Sequence, residues 1–258
     1  MTKFIERRDF MKFHRLFVFM MFLGLALNQD CLVLAESQYK SAGEILDQAR
    51  SQAKSLESYA LSSHLVFYDG SSTPSVDQQI SSLARYSSGD HRLIATYSKY
   101  KQLDNGSYVN NELLFRGSGE DTIYNRKENN ESWEVQKENA AEFDFSPDYF
   151  KILETLASIE EEAEFSESDT SYDLAFTQPK ENLFQFFNDH YMIDITAFSE
   201  FQPEISLKVS FNKEDLMMEK VFVYMILEDP YQVRAGAETH YTDFNKVDED
   251  QIPNPSES

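Results

Sequence analysis

Ile45, Leu46, Ala49, Ala53 and Leu56 recur at helical spacing, with Asp47, Gln48, Arg50, Gln52 and Lys54 on the other side. This pattern predicts one amphipathic helix with an apolar stripe to bury. Ser41-Ala42-Gly43-Glu44 opens it as a capping box. The period then changes to two. Tyr59, Leu61, Ser63, Leu65 and Phe67 alternate with Ala60, Ser62, His64 and Val66, which is a strand with one apolar face.

Further strands are predicted over Gln78–Ser87, His91–Tyr100, Tyr108–Arg116, Asp121–Lys127 and Ser132–Lys137. Ser88-Gly89-Asp90, Asp104-Asn105-Gly106, Gly117-Ser118-Gly119 and Glu128-Asn129-Asn130 separate them. Such turn-formers favour tight reversals and an antiparallel meander. Ser146-Pro147-Asp148 reads as an N-cap followed by Pro at the first helical position. The helix then runs through Phe150, Ile152, Leu153, Leu156 and Ile159 into an acidic end at Glu160–Glu164.

Strands resume at Tyr172, Leu174 and Phe176, and Pro179–Asn188, rich in Phe184, Phe186 and Phe187, is a helical turn or a flap. Ile205, Leu207, Val209 and Phe211 alternate against Ser206, Lys208 and Ser210, giving one buried and one wet face. Leu216–Leu227 is apolar on both faces, which suits a central strand covered twice or meeting a ligand or helix. Gln232–Asp243 is the last strand, and a polar tail begins at Ile252-Pro253-Asn254-Pro255. With no internal repeat or linker visible, residues 36–258 are expected to form a single domain.

The first 35 residues follow a different logic. Lys3, Arg7, Arg8, Lys12 and Arg15 precede the apolar run Leu16–Leu27, and Val33-Leu34-Ala35 supplies a cleavage site, the layout of a secretory signal. The run is shorter than the ~20 residues of a membrane-spanning helix, so no stable transmembrane span is expected. Cys31 follows Asn28-Gln29-Asp30 where a lipid-attachment box has aliphatic and small residues, so cleavage after Ala35 is favoured over lipidation. The location implied is extracytoplasmic, secreted or associated with a bacterial envelope. The mature chain, Glu36–Ser258, would then contain no cysteine and depend on no disulfide.

The chain carries 23 Lys and Arg against 45 Asp and Glu, a net charge of −22. Nucleic acid is thereby excluded as a partner, because phosphate binding needs clustered cations. Removal of residues 1–35 leaves 18 basic and 42 acidic side chains, a net charge of −24, which also repels anionic lipid surfaces.

Catalytic chemistry finds no foothold. His64, His91, His190 and His240 are isolated in sequence, with no H-E-x-x-H pair. There is no G-x-S-x-G elbow or phosphate-cradling glycine loop, and Asp248-Glu249-Asp250 and Glu160-Glu161-Glu162 lack a calcium-loop pattern. The expectation is a protein without enzymatic activity, cofactor or metal.

The order of elements, an exported helix leading into a strand at Ser55-Leu56-Glu57-Ser58-Tyr59, a long meander, an inserted helix and terminal strands, resembles that of LolA-like proteins. Val209-Ser210-Phe211-Asn212-Lys213-Glu214-Asp215-Leu216 and His240-Tyr241-Thr242-Asp243-Phe244-Asn245, with Ile252-Pro253 after them, resemble the closing strands of that family. The family comprises bacterial exported proteins, among them lipoprotein and lipid carriers. The resemblance implies an α+β fold: a strongly curved antiparallel sheet, an incomplete β-barrel, covered on its concave face by helices.

It further implies an apolar cavity able to shelter an acyl chain. Leu61, Leu65, Phe67, Leu93, Trp133, Ile205, Leu207, Val209, Phe211, Val223 and Met225 are the candidates for its lining. Helix 1 and the Phe184–Phe187 stretch would be movable covers. A core of the same residues is equally required by any domain of this length. Two functions follow: a monomeric carrier whose partner is a lipid or an acylated protein, or a protein-interaction or sensor module using the same fold without lipid cargo.

Overall fold

The computed structural model describes residues 39, 41–117, 121–127, 132–136, 143–228 and 231–256. The expected secretory signal over residues 1–35 with Cys31, the expected reversal at Glu128-Asn129-Asn130, Ser118-Gly119 and Lys137 lie outside the described residues. By its internal contacts the chain divides into residues 1–38 and 39–258, and the fold below is that of the second unit.

Among the described residues, alternation of apolar and polar positions becomes eleven strands. After helix α1 (Ala42–Ala53) come β1 (Ser58–Asp69), β2 (Val76–Tyr86), β3 (Leu93–Asp104), β4 (Ser107–Arg116), β5 (Thr122–Lys127) and β6 (Glu134–Gln136). Helix α2 (Tyr149–Ser158), β7 (Ala163–Glu167), β8 (Ser171–Phe176), helix α3 (Lys180–Tyr191), β9 (Glu204–Asn212), β10 (Met218–Leu227) and β11 (Val233–Thr242) follow. The sheet order is β6-β5-β4-β3-β2-β1-β11-β10-β9-β8-β7. Every neighbouring pair is antiparallel. Two meanders are therefore joined side by side along β1 and β11, where Leu61 pairs with Tyr241 and Leu65 with Ala237.

The result is the α+β architecture implied by the resemblance, an open, curved antiparallel sheet with helices over its concave face. β6 and β7 are its edges. Ile45, Leu46 and Ala49 of α1, Ile152, Leu153 and Leu156 of α2, and Phe184, Phe186 and Phe187 of α3 join the inward strand residues in one core. Burial of each such large apolar side chain contributes roughly 1.5–3 kcal/mol.

Several local expectations change. α2 is capped by Asp148, whose Oδ1 accepts the Lys151 amide at 2.9 Å. Ser146 and Pro147 thus precede the helix rather than start it. The acidic end of α2 turns into a short 3-10 turn, Glu160–Glu162, and then into edge strand β7. Of the two alternatives for Pro179–Asn188, the helical one holds and extends further: Lys180–Tyr191 is a three-turn helix with Pro179 at its N-cap position. Leu216 takes φ +57, so β10 begins only at Met218. The last residues also pack: Ile252 is 2% exposed, and Arg116 Nη2 donates to the carbonyls of Ile252 and Pro253 at 3.0 and 2.9 Å.

Candidate functional site

Strand parity brings the apolar candidates together. On β9, β10 and β11 the inward residues are Ile205, Leu207, Val209 and Phe211, then Val221, Val223 and Met225, then Ala235 and Ala237. Register aligns Leu207 with Val223 and Val223 with Ala237, so one continuous apolar wall forms. Leu61 and Leu65 extend it across β1, and all these residues are buried.

Phe67 and Leu93 are half-buried and pack against the same core. Leu93 reaches it through a register shift beside Arg85 and Tyr86. Trp133 is placed elsewhere, in a smaller cluster with Ala95, Leu114 and Ile252 on the opposite face of the sheet. There the Arg126 guanidinium lies 4.3 Å from its ring centroid and Tyr97 packs edge-on at 6.4 Å.

Helix α3 covers the wall. Leu183, Phe184, Phe186, Phe187, His190 and Tyr191 are its buried positions, spaced i, i+1, i+3, i+4, i+7 and i+8, a full helical stripe. Unlike α1, capped by Ser41, and α2, capped by Asp148, α3 starts at Pro179 with no side-chain cap and ends on Met192 in a left-handed conformation.

Three polar features interrupt the apolar interior. The Tyr191 hydroxyl meets Thr239 Oγ1 at 3.1 Å, which in turn meets Ser63 Oγ at 2.9 Å. On β2 and β3, Ser82 Oγ donates to Ser98 Oγ at 2.7 Å, and Thr96 Oγ1 is buried with no hydrogen-bond partner. At one end of the sheet, Tyr59, Tyr86, Tyr149 and Tyr241 surround Asp148. Tyr59 and Tyr86 share a hydrogen bond of 2.9 Å, and Tyr86 also donates to Asp148. Burial raises the Asp148 carboxyl above its usual range, against the hydrogen bonds from Tyr86 and the Lys151 amide. Burial likewise pushes the Tyr59, Tyr86 and Tyr241 phenols well up. At the other end, Phe67 packs on Phe198 at 6.3 Å and Phe201 on Tyr231 at 4.9 Å.

These polar groups carried no motif in the sequence. Only the odd-numbered parity of Ser63 and Thr239 within otherwise apolar faces could have pointed to them. Three clefts lie outside the apolar wall: about 670 Å³ between α2 and α3, 440 Å³ between α1 and α2, and 140 Å³ over β2, β3 and β4. Among the described residues no group of three or more His, Cys, Asp or Glu is placed to hold a metal ion. Among those residues no helix is long and apolar enough to cross a membrane.

No protein-family model matches the chain, and no curated protein sequence matches it. Among solved structures, the chain is similar to LprF from Mycobacterium bovis, with 11% identity over 83% of this chain and 96% of that one and a TM-score of 0.48. It is also similar to the lipoprotein LppX from Mycobacterium tuberculosis, with 9% identity over 82% and 98% and a TM-score of 0.41. A LolA superfamily protein from Nitrosomonas europaea is similar at 8% identity over 84% and 100%, with a TM-score of 0.30.

Proposed function

We propose that this is an exported, non-catalytic binding protein that shelters an acyl chain on the concave face of its half-barrel, with α3 as the movable cover. In this reading residues 1–35 direct export, and the mature domain begins at Glu36. Leu61, Leu65, Phe67, Leu93, Ile205, Leu207, Val209, Phe211, Val223 and Met225 contact the ligand, whereas Trp133 belongs to the outer cluster.

One observation carries the reading: a single helix without a side-chain cap at its start lays three phenylalanines on an uncharged apolar wall. When α3 lifts, Phe184, Phe186 and Phe187 forfeit roughly 5–9 kcal/mol of burial. A sixteen-carbon chain in their place recovers about 12 kcal/mol at about 0.8 kcal/mol per methylene. The chain's gain exceeds that loss by roughly 3–7 kcal/mol, and the burial that Leu183 and Tyr191 also forfeit narrows the margin toward reversible loading.

The interaction-module reading also has its own observation, since the chain's side chains fill the wall: Leu207, Val223 and Met225 are fully buried. Native mass spectrometry of the secreted protein from its own host, followed by organic extraction, separates the two. The carrier reading predicts a bound acyl species at fixed stoichiometry and an intact mass that starts at Glu36. A bare mass, together with no uptake of a fluorescent fatty acid by the purified protein, overturns the carrier reading and leaves the interaction module.

A further inference from the structure

His190 sits in the last turn of α3, 4% exposed, with its ring 4.6 Å from that of Phe186. Its Nε2 lies 3.0 Å from Thr155 Oγ1 on α2. Thr155 Oγ1 also lies 3.0 Å from the Lys151 carbonyl, to which it donates. A hydroxyl has one proton, and a carbonyl can only accept. The hydrogen between Thr155 and His190 therefore comes from the imidazole, with a proton on Nε2. A second proton would charge a ring held between two packed helices.

We infer that His190 is a proton-operated latch: neutral, its buried ring lets α3 pack against α2 beside Thr155, and on protonation the charge on that buried ring frees α3 to lift from the concave face. The consequence for a ligand rests on the reading of α3 as a cover. The latch itself does not.

The surroundings support a switch. The cleft of about 670 Å³ between α2 and α3 has His190 and Thr155 in its lining, so solvent protons reach the junction. Its charged groups are Lys151 and Glu154 on α2, Asp144 ahead of α2, and Asp189 on α3 itself. Lys151 is already paired with Asp144. Beneath α3, the inward face of β9 carries no titratable group. Tyr191 is tied to Thr239 of β11, and Asp194 beyond the helix is tied to Thr196.

Burial is the largest influence on the imidazole and lowers its pKa to about 4, with Asp189 and Asp144 opposing and Lys151 reinforcing. Once α3 lifts, the ring regains its ordinary value near 6.5. Opening then takes up a proton between these values and becomes roughly 30-fold more frequent at pH 5 than at pH 7.5.

Hydrogen exchange of the ligand-free mature protein, corrected for intrinsic rates, tests this directly. At pH 5 the amides of α3 should open roughly 30-fold more often than at pH 7.5, while those of α1 stay unchanged. His190→Gln keeps an N–H donor for Thr155 and cannot be charged, so its α3 opening should ignore pH. Lys151→Gln removes the neighbouring cation and should move the opening midpoint to higher pH.

An equal pH response in wild type and His190→Gln, or α1 opening together with α3, overturns the latch. Should His190→Gln fail to fold, NMR titration of the His190 ring in the wild type decides. A midpoint coincident with α3 opening supports the latch, and titration near 6.5 with α3 closed overturns it. Because no ligand is present, failure to bind acyl chains would sink the carrier reading without touching this result.

Discussion

Asp148 accepts the Lys151 amide through one oxygen and the Tyr86 phenol through the other, with the Tyr59 hydroxyl 3.4 Å away. Asp148→Ala removes the helix cap, worth about 1 kcal/mol, and leaves a buried phenol unpaired at about 1–3 kcal/mol. A loss of about 2–4 kcal/mol in urea unfolding is expected. Asp148→Asn keeps one acceptor oxygen, enough to cap the Lys151 amide, but turns an NH2 toward the Tyr86 phenol, so at neutral pH it should fall between wild type and Asp148→Ala. The raised folded pKa means that this carboxyl stabilises the fold most when protonated. Its contribution is present below the ordinary carboxylate range and is lost as pH rises through the folded value. Asp148→Asn should abolish that decline. His190 works in the opposite sense. Its folded pKa, lowered to about 4, makes stability fall by roughly 3 kcal/mol as pH drops from about 6.5 to 4. Unfolding curves across this range, for wild type and for His190→Gln, separate the two slopes. The Ser-Pro-Asp triplet marked the start of α2 but not the capping residue, because which oxygen meets the third amide depends on the turn that precedes the helix.

Strands with clean alternation, such as Ile205–Phe211, announced both their existence and their buried face. Edge strand β7 did not, because Glu164 and Ser166 alternate with only Ala163 and Phe165, and one neighbour suffices to hold it. Helix α3 was half visible. Its phenylalanines were noticed, but Phe, Asn, Asp and His are weak helix formers, and packing on the sheet overrides that weakness. Trp133 shows why parity alone cannot assign a face. It precedes β6, and register, which sequence does not display, sets the side on which it emerges. Phe187 offers the test at this scale. Phe187→Ala should cost about 3–5 kcal/mol and leave room on the wall, so fluorescent fatty-acid uptake should rise even as the melting temperature falls. Lower uptake with the same destabilisation would mean that Phe187 contacts the ligand rather than occupying its place. The C-terminal segment behaves as structure too. Ile252→Ala should lower stability by about 2 kcal/mol or more, whereas a segment lying loose on the surface would give no measurable change.

Across the domain, the joining of β1 to β11 was invisible in the sequence because the paired residues lie between 164 (Asp69 and Val233) and 182 (Ala60 and Thr242) positions apart. Charge, by contrast, was legible from composition, and the outer face of the sheet carries both signs, with Glu112 paired to Arg126 and Glu238 to Lys220. Lys99, Lys101, Arg126, Lys208, Lys220 and Arg234 project from the outer face of the sheet. The helical side carries Asp47, Glu154 and the run Glu160–Glu162, answered there by Arg50, Lys54 and Lys151. Arg50 is already engaged by Glu154 at 2.8 Å, and Lys151 by Asp144. Added salt weakens such exposed pairs, each worth about 0–1 kcal/mol. It also screens repulsion among the surplus carboxylates, because the screening length shrinks from about 30 Å at 0.01 M to about 8 Å at 0.15 M. With acids outnumbering bases 45 to 23, repulsion outweighs attraction, so the melting temperature should rise over that salt range. Replacing the exposed Glu161 and Glu162 with Lys should raise the melting temperature at low salt and flatten its salt dependence. A melting temperature that falls with salt would show that the ion pairs, rather than the surplus charge, govern this surface.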